Sequence, residues 1–390
     1  MARTQAYRRI RRAAVALLLG AAVTACAGGP AADRASDTPT SPPTETTTTP
    51  PPTDAPSPGS GTEGDSPARE PTEHDLEPAA PTGTATVTEE HPLTGITDPW
   101  GLAVLPASGD LLVGSRTTGV IYRVAKDTGD ITEVGTAASH AVGEGGLLGL
   151  AAADKTYFFA YYTTTSESRV VRSAYQTDKP EGQQMETSGR LTGLPWGDTR
   201  VGGALLLTPD GSLYAGVGDL GGTSSTAQSD SPAGDILKAP EVLGASWNPQ
   251  LPDMEVYSGA QGSVEGLALD ANGRVWAVGR GEEDSAVLAL ADSDQPLHVW
   301  TDGAAPTGLA YTPQRCLWVS TADGILWRVP LDGTELVIDP RPAVDVVNGP
   351  PRELSGRYSS LRSPTSAGED ALWVLATGDE GAALLKLSVS

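Results

Sequence analysis

From about Leu93 to the end, short apolar runs alternate with turn-forming polar residues, and the runs recur as a set. Each set opens on a small apolar segment of Gly-Leu-Ala type. It passes through a turn into a run of Leu, Val and Trp, and a further apolar run follows. Six copies can be read: PWGLAVLPASGDLLVGSRTTGVIYRV from Pro99, EGGLLGLAAADKTYFFAYYTTTSESRVVRSAY from Glu144, VGGALLLTPDGSLYAGVGDLG from Val201, VEGLALDANGRVWAVGRGEEDSAVLALA from Val264, PTGLAYTPQRCLWVSTADGILWRVPL from Pro306 and YSSLRSPTSAGEDALWVLATGDEGAALLKLSV from Tyr358. They start roughly 40 to 60 residues apart, the spacing of propeller blades. Pro209-Asp210-Gly211, Ala271-Asn272-Gly273 and Leu331-Asp332-Gly333 read as hairpin turns between short strands. No stretch carries helical periodicity. A lone sheet of this kind cannot bury both faces, whereas six stacked around an axis can. The pattern therefore predicts an all-β, six-bladed propeller over 93–390. A seventh blade is the alternative, should Leu93 to Trp100 and the C-terminus build one. Trp276, Trp318, Trp327 and Trp373 fall on strands at regular places, which favours packing between blades over stacking on a sugar.

The first 92 residues read differently. Arg3, Arg8, Arg9, Arg11 and Arg12 precede an apolar run from Ala13 to Val23 that is too short to span a bilayer. Val23-Thr24-Ala25-Cys26 then resembles a bacterial lipobox. Residues 1–25 are expected to be an export signal, by the Sec or the twin-arginine route. Cys26 would carry the lipid that holds the protein on the outer face of the cytoplasmic membrane. Residues 26–92 are expected to form a disordered Pro/Thr/Ser linker, since this composition cannot bury enough apolar surface to offset its ordering entropy. The Thr and Ser content leaves O-glycosylation open.

The formal net charge of −23 excludes nucleic acid as a partner, and it becomes more negative once the signal arginines are removed. A basic patch cannot then hold the protein on an anionic membrane, so the lipid must. Two Cys rule out a disulfide scaffold or a Cys-based zinc module. Cys316, in the strand-like CLWVS, is expected to be a buried thiol. The chain is expected to be a monomer.

The repeats resemble the glucose/sorbosone dehydrogenase family, extracytoplasmic six-bladed propellers that use pyrroloquinoline quinone (PQQ). The resemblance rests on PWGLAVLP with LLVGSR, on Glu144 to Leu150 (EGGLLGL), on Arg169-Val170-Val171-Arg172 and on Gly202-Gly203. TPDGSLYAGVGDLG, AQSDSPAGDIL and Gly266-Leu267-Ala268 complete it. A subgroup of actinobacterial lipoproteins with a Pro-rich stalk is more similar still. The resemblance implies a His two residues before Gly-Gly as general base, an orienting Asp in the later Gly-Asp motif, cations around the tricarboxylate cofactor, and a calcium ion that polarises the quinone.

The site positions depart from that pattern. Arg200 stands at the base position, and arginine does not accept a proton at neutral pH. Asp219 is kept, so an Arg200–Asp219 ion pair is expected. The family's Arg-Asn-Pro-Gln stretch reads Gly262-Ser263-Val264-Glu265, and its Gly-Lys-Ile reads Gly234-Asp235-Ile236. No residue is a confident catalytic group. Glu144, Arg200, Asp219, Gln228, Gln261 and Glu265 are the candidate pocket residues. Of the four His, His140 is the one placed to approach the channel, with an exposed loop imidazole as the plainer reading. Glu144, Asp219 and Glu265 could gather a cation at the mouth.

Three functions follow. The first is a non-catalytic propeller that binds a small molecule or an envelope protein, without PQQ or calcium. The second is a PQQ- and calcium-dependent aldose dehydrogenase with a diverged site. The third, on fold analogy alone, is a lactonase-type hydrolase.

Overall fold

The computed structural model describes residues 77–390, apart from 154–156, 223–230, 244–253, 260–261, 282–284, 294, 301–304, 334, 348–350, 352–353 and 369. The expected signal segment, Cys26, His74 and most of the expected linker lie outside the described residues. Strand β1 (Ala85–Pro92) comes first. Blade 1 holds β2 (Pro99–Val104), β3 (Leu111–Ser115), β4 (Val120–Val124) and β5 (Ile131–Thr136). Blade 2 holds β6 (Leu147–Ala152), β7 (Tyr157–Thr163), β8 (Ser168–Tyr175) and β9 (Met185–Leu194). Blade 3 holds β10 (Gly202–Leu207), β11 (Leu213–Val217), β12 (Ile236–Ala239) and β13 (Glu255–Ser258). Blade 4 holds β14 (Ser263–Leu269), β15 (Val275–Arg280), β16 (Ala286–Leu290) and β17 (His298–Trp300). Blade 5 holds β18 (Pro306–Thr312), β19 (Cys316–Thr321), β20 (Ile325–Asp332), β21 (Glu335–Ile338) and β22 (Arg341–Asp345). Blade 6 holds β23 (Ser360–Ser366), β24 (Ala371–Gly378) and β25 (Gly381–Val389). The strands of each sheet pair antiparallel, and β2, β6, β10, β14, β18 and β23 touch one another in a closed ring around the axis. The fold is a six-bladed β-propeller, and each repeat in the sequence begins within three residues of an innermost strand.

Small residues recur in the Gly-Leu-Ala segments because six strands converge there. A Cβ added to Gly149 would lie 2.1 Å from the Gly203 carbonyl oxygen, and one on Gly266 would lie 2.5 Å from the Leu309 nitrogen. Behind the ring, large side chains fill the wedges between blades. Trp276, Trp318 and Trp373 are fully buried, each in a cluster shared with the next blade. The Trp276 indole N–H donates to Asp270 at 2.9 Å, and that of Trp318 donates to Thr312 at 2.9 Å. Trp327 is half-buried against Trp300, their ring centroids 5.7 Å apart. None of the four is left to stack on a ligand in the channel. Gly211 and Gly273 take positive φ in the expected hairpins, where Asp210 and Asp270 accept backbone N–H bonds. Cys316 is a buried free thiol, and burial pushes its pKa up to about 11.

The expected linker boundary at residue 92 is corrected. Strand β1 pairs with β25 from Ala85↔Val389 to Pro92↔Ala383, so the N-terminal segment supplies the outer strand of the last blade. Among the described residues no seventh blade forms. ATVTEEHP reads as polar linker because an outermost strand keeps one edge in solvent and needs few apolar residues. Its acids are nevertheless engaged: Glu89 with Lys386 at 2.6 Å, and Glu90 with the Tyr358 hydroxyl at 2.8 Å and with Arg357. Upstream, Ala79 donates to the Leu331 carbonyl at 2.7 Å. The buried Arg328 bonds both the Ala80 carbonyl and Ser390.

Candidate active site at the channel mouth

Every innermost strand carries a bulge near its start. The ladder register shifts between Pro99 and Gly101, Leu147 and Gly149, Gly202 and Leu205, Val264 and Gly266, Pro306 and Gly308, and Arg362 and Thr365. A bulge re-aims the side chain it carries. Here it sets one residue per blade on the channel wall: Trp100, Leu148, Gly203, Glu265, Thr307 and Ser363, the last beside Arg362. All of them line a cavity of about 750 Å³ on the axis, together with Arg280. The glycine after four of these residues follows from the same geometry, since it lies where the next strand passes.

Arg200, Asp219 and Glu144 belong to the segments around the start of β10, the end of β11 and the start of β6. Arg200 adopts a left-handed backbone (φ 51), which aims its side chain across the mouth. Its Nε and a terminal nitrogen donate to the two oxygens of Asp219, both at 2.7 Å. The other terminal nitrogen donates to the Gly281 carbonyl at 2.9 Å, and the Arg280 carbonyl is also engaged. The pairing expected of Arg200 and Asp219 is present, as a two-bond fork. Gly218 precedes Asp219 of necessity, because a Cβ there would lie 1.9 Å from the Arg200 carbonyl oxygen.

Glu144 accepts the Arg200 backbone N–H at 2.7 Å and two bonds from Arg280, at 3.0 and 3.2 Å. Arg280 also faces Glu265 at 3.8 Å, whose carboxyl accepts from Ser263 at 2.8 Å. The three carboxylates thus each meet an arginine instead of gathering around a common cation. Glu265 is one-tenth exposed. Burial raises its pKa to about 7, against the pull of Arg280 and the Ser263 hydroxyl, and Glu144 pushes in the same direction as burial.

Basic groups away from the family's motif positions also reach the mouth. Arg116 follows β3, pairs with Asp98 at 2.8 Å and lies 4.8 Å over the Trp100 ring. Arg362 lies 3.8 Å over the same ring, and burial lowers its pKa to about 10. With Arg200 and Arg280, four guanidiniums share the mouth with the carboxyl groups of Asp98, Glu144, Asp219 and Glu265. Arg116, Arg280, Arg362 and Trp100 escape a reading of the sequence because they lie outside the positions at which the family's site motifs fall. The usable signal was the residue before the Gly-Leu of four innermost strands: Trp100, Leu148, Glu265 and Thr307. Gln228 and Gln261 lie outside the described residues. His140 is exposed and its backbone bonds Thr163; His91 sits beside Trp373 and His298 on an outer strand. No imidazole lines the cavity among the described residues.

A model of the family described as glucose/sorbosone dehydrogenase matches residues 96–293, half of the chain. The chain belongs to the glucose/sorbosone dehydrogenase family. The PQQ-bound form of an aldose sugar dehydrogenase from Streptomyces coelicolor is 32% identical, with a TM-score of 0.67 over 80% of this chain and 100% of that one. The apo form of a soluble aldose sugar dehydrogenase from Escherichia coli shares the fold, at 16% identity and a TM-score of 0.58, over 79% of this chain and 99% of that one. No curated protein matches the chain.

Proposed function

We propose that this chain is a lipid-anchored, extracytoplasmic binding protein, a glucose/sorbosone dehydrogenase relative that holds a small ligand in its channel without oxidising it. One observation carries the reading. The position of the family's proton acceptor is filled by Arg200, whose guanidinium is committed to Asp219 and to two backbone carbonyls. A cation that only donates cannot take a hydroxyl proton.

PQQ fits these residues poorly. Three carboxylates need surplus positive charge, yet Arg116, Arg200 and Arg280 already face Asp98, Asp219 and Glu144, and Glu265 adds a carboxyl inside the cavity. The anchor on Cys26 and the place outside the cytoplasmic membrane rest on the lipobox-like segment.

Dye reduction with added PQQ, calcium and a panel of aldoses tests the reading. The wild-type chain and Arg200→His are both expected to give none. PQQ-dependent turnover by the wild-type chain would overturn the reading, and turnover by Arg200→His would show the pocket to be one substitution from activity. The second reading is an aldose dehydrogenase, favoured by the likeness to the PQQ-bound Streptomyces coelicolor enzyme. On that reading Glu265, a channel carboxyl with a pKa of about 7, is the residue able to act as base.

A further inference from the structure

Of the four guanidiniums at the mouth, three are held by carboxylates and one is not. Arg116, Arg200 and Arg280 each donate to an acid. Arg362 forms no hydrogen bond and no ion pair among the described residues. It is held by its stack on Trp100, with its charge felt only at longer range by Asp98 and Glu265. A guanidinium carries five N–H donors in a fixed fork, and desolvating it without acceptors is costly. Trp100 is itself fixed, since its carbonyl accepts from Ser363 at 2.6 Å and Arg116 covers its ring. The result is a preorganised fork open to a cavity of about 750 Å³, which lies in the size range of small-molecule sites.

The other groups on the wall narrow the ligand. Only one guanidinium is unmatched, so a single carboxylate is accommodated. Two blades away stands Glu265, which would repel a second anion. It would instead meet a hydroxyl, accepting from it when ionised and donating to it when protonated.

Building on the binding-protein reading above, we propose that the channel takes a small polyhydroxylated monocarboxylate, of the aldonic or uronic acid class, with its carboxylate on the Arg362 fork. Glu265 then couples the site to protons. It is faced by Arg280 and Ser263 directly and by Glu144, Arg200, Arg362 and the Tyr161 hydroxyl at longer range. An anion placed on Arg362 removes part of the positive field that favours ionised Glu265. Binding near neutral pH therefore takes up a proton and strengthens as pH falls through 7.

Calorimetric titration of the full chain with gluconate, glucuronate, glucose and PQQ tests this, run in two buffers of different ionisation enthalpy. Expected are binding of the acids but not of glucose, proton uptake at pH 7, and loss of about ten- to a hundredfold in affinity in Arg362→Met, the worth of a charged two-bond contact. Glu265→Gln is expected to abolish the proton uptake and flatten the rise of affinity with falling pH, a readout that a merely unstable variant would not give. Equal binding of glucose and gluconate, unchanged by Arg362→Met, would overturn the inference and leave the binding-protein reading standing. No heat with either acid would overturn it as well. Tight PQQ binding with dye reduction would instead overturn the reading on which it rests.

Discussion

A carboxyl group at the axis of the ring, answered by one guanidinium at 3.8 Å and a hydroxyl, loses more by desolvation than it gains when it ionises. Glu265 titrates near 4.5 in an unfolded chain and near 7 in the fold. The folded state therefore binds more protons between those values. Stability falls as pH rises from 4.5 to 7 and stays lower above, by at most about 3 kcal/mol. Urea unfolding at pH 5 and pH 8 checks this: Glu265→Gln is expected to be more stable than wild type at pH 8 and similar at pH 5. Arg200 gives the opposite kind of test. Removing it in Arg200→Met leaves Asp219 and two carbonyls without their donor, at a cost of about 1 to 3 kcal/mol in the same assay. The Arg200–Asp219 pair was legible in the sequence because both residues sit at fixed offsets from glycines that the backbone requires. The partners of Glu265 and Trp100 were not. Arg280 and Arg116 come from the far end of the neighbouring strand in the same blade and Arg362 from the adjacent blade, and no local pattern records which strand ends meet at the mouth.

At the scale of the element, the innermost strands were the most legible part of the chain, since convergence on an axis demands small residues and leaves a repeated mark. Gly149→Ala would press a methyl onto the Gly203 carbonyl. It is expected to lower stability by about 1 to 3 kcal/mol, seen as a reduced thermal midpoint. The outermost strand was the least legible, because β1 shares its composition with the residues before it. A chain beginning at Leu93 would lack β1 and expose the edge of β25. Seven paired positions at about 0.5 to 1 kcal/mol each imply a loss of several kcal/mol. Size-exclusion chromatography and melting are expected to show association and a lower midpoint than for the full chain, since an open sheet edge invites pairing between molecules.

For the whole molecule, charge is distributed on two scales. The chain as a whole is strongly acidic, with a formal net charge of −23, while the mouth balances its acids with arginines. An anion approaching from solvent is repelled before it meets Arg362. Screening should then speed its arrival, so the association rate of gluconate, followed by Trp fluorescence, is expected to rise with ionic strength. The acidity was plain in the sequence, but the local neutrality was not, because it depends on which few arginines the six blades bring to one end of the axis.

The strand that closes the ring is also the one nearest to the N-terminal segment, and this gives the molecule a load path. Tension applied along that segment arrives first at residues 77–84, where Arg328 and Leu331 grip the backbone, and then at β1. A pull strong enough to peel β1 from β25 would unclasp the sixth blade while the other five keep all their own strands, so mechanical failure would begin at the seam between the two ends of the propeller.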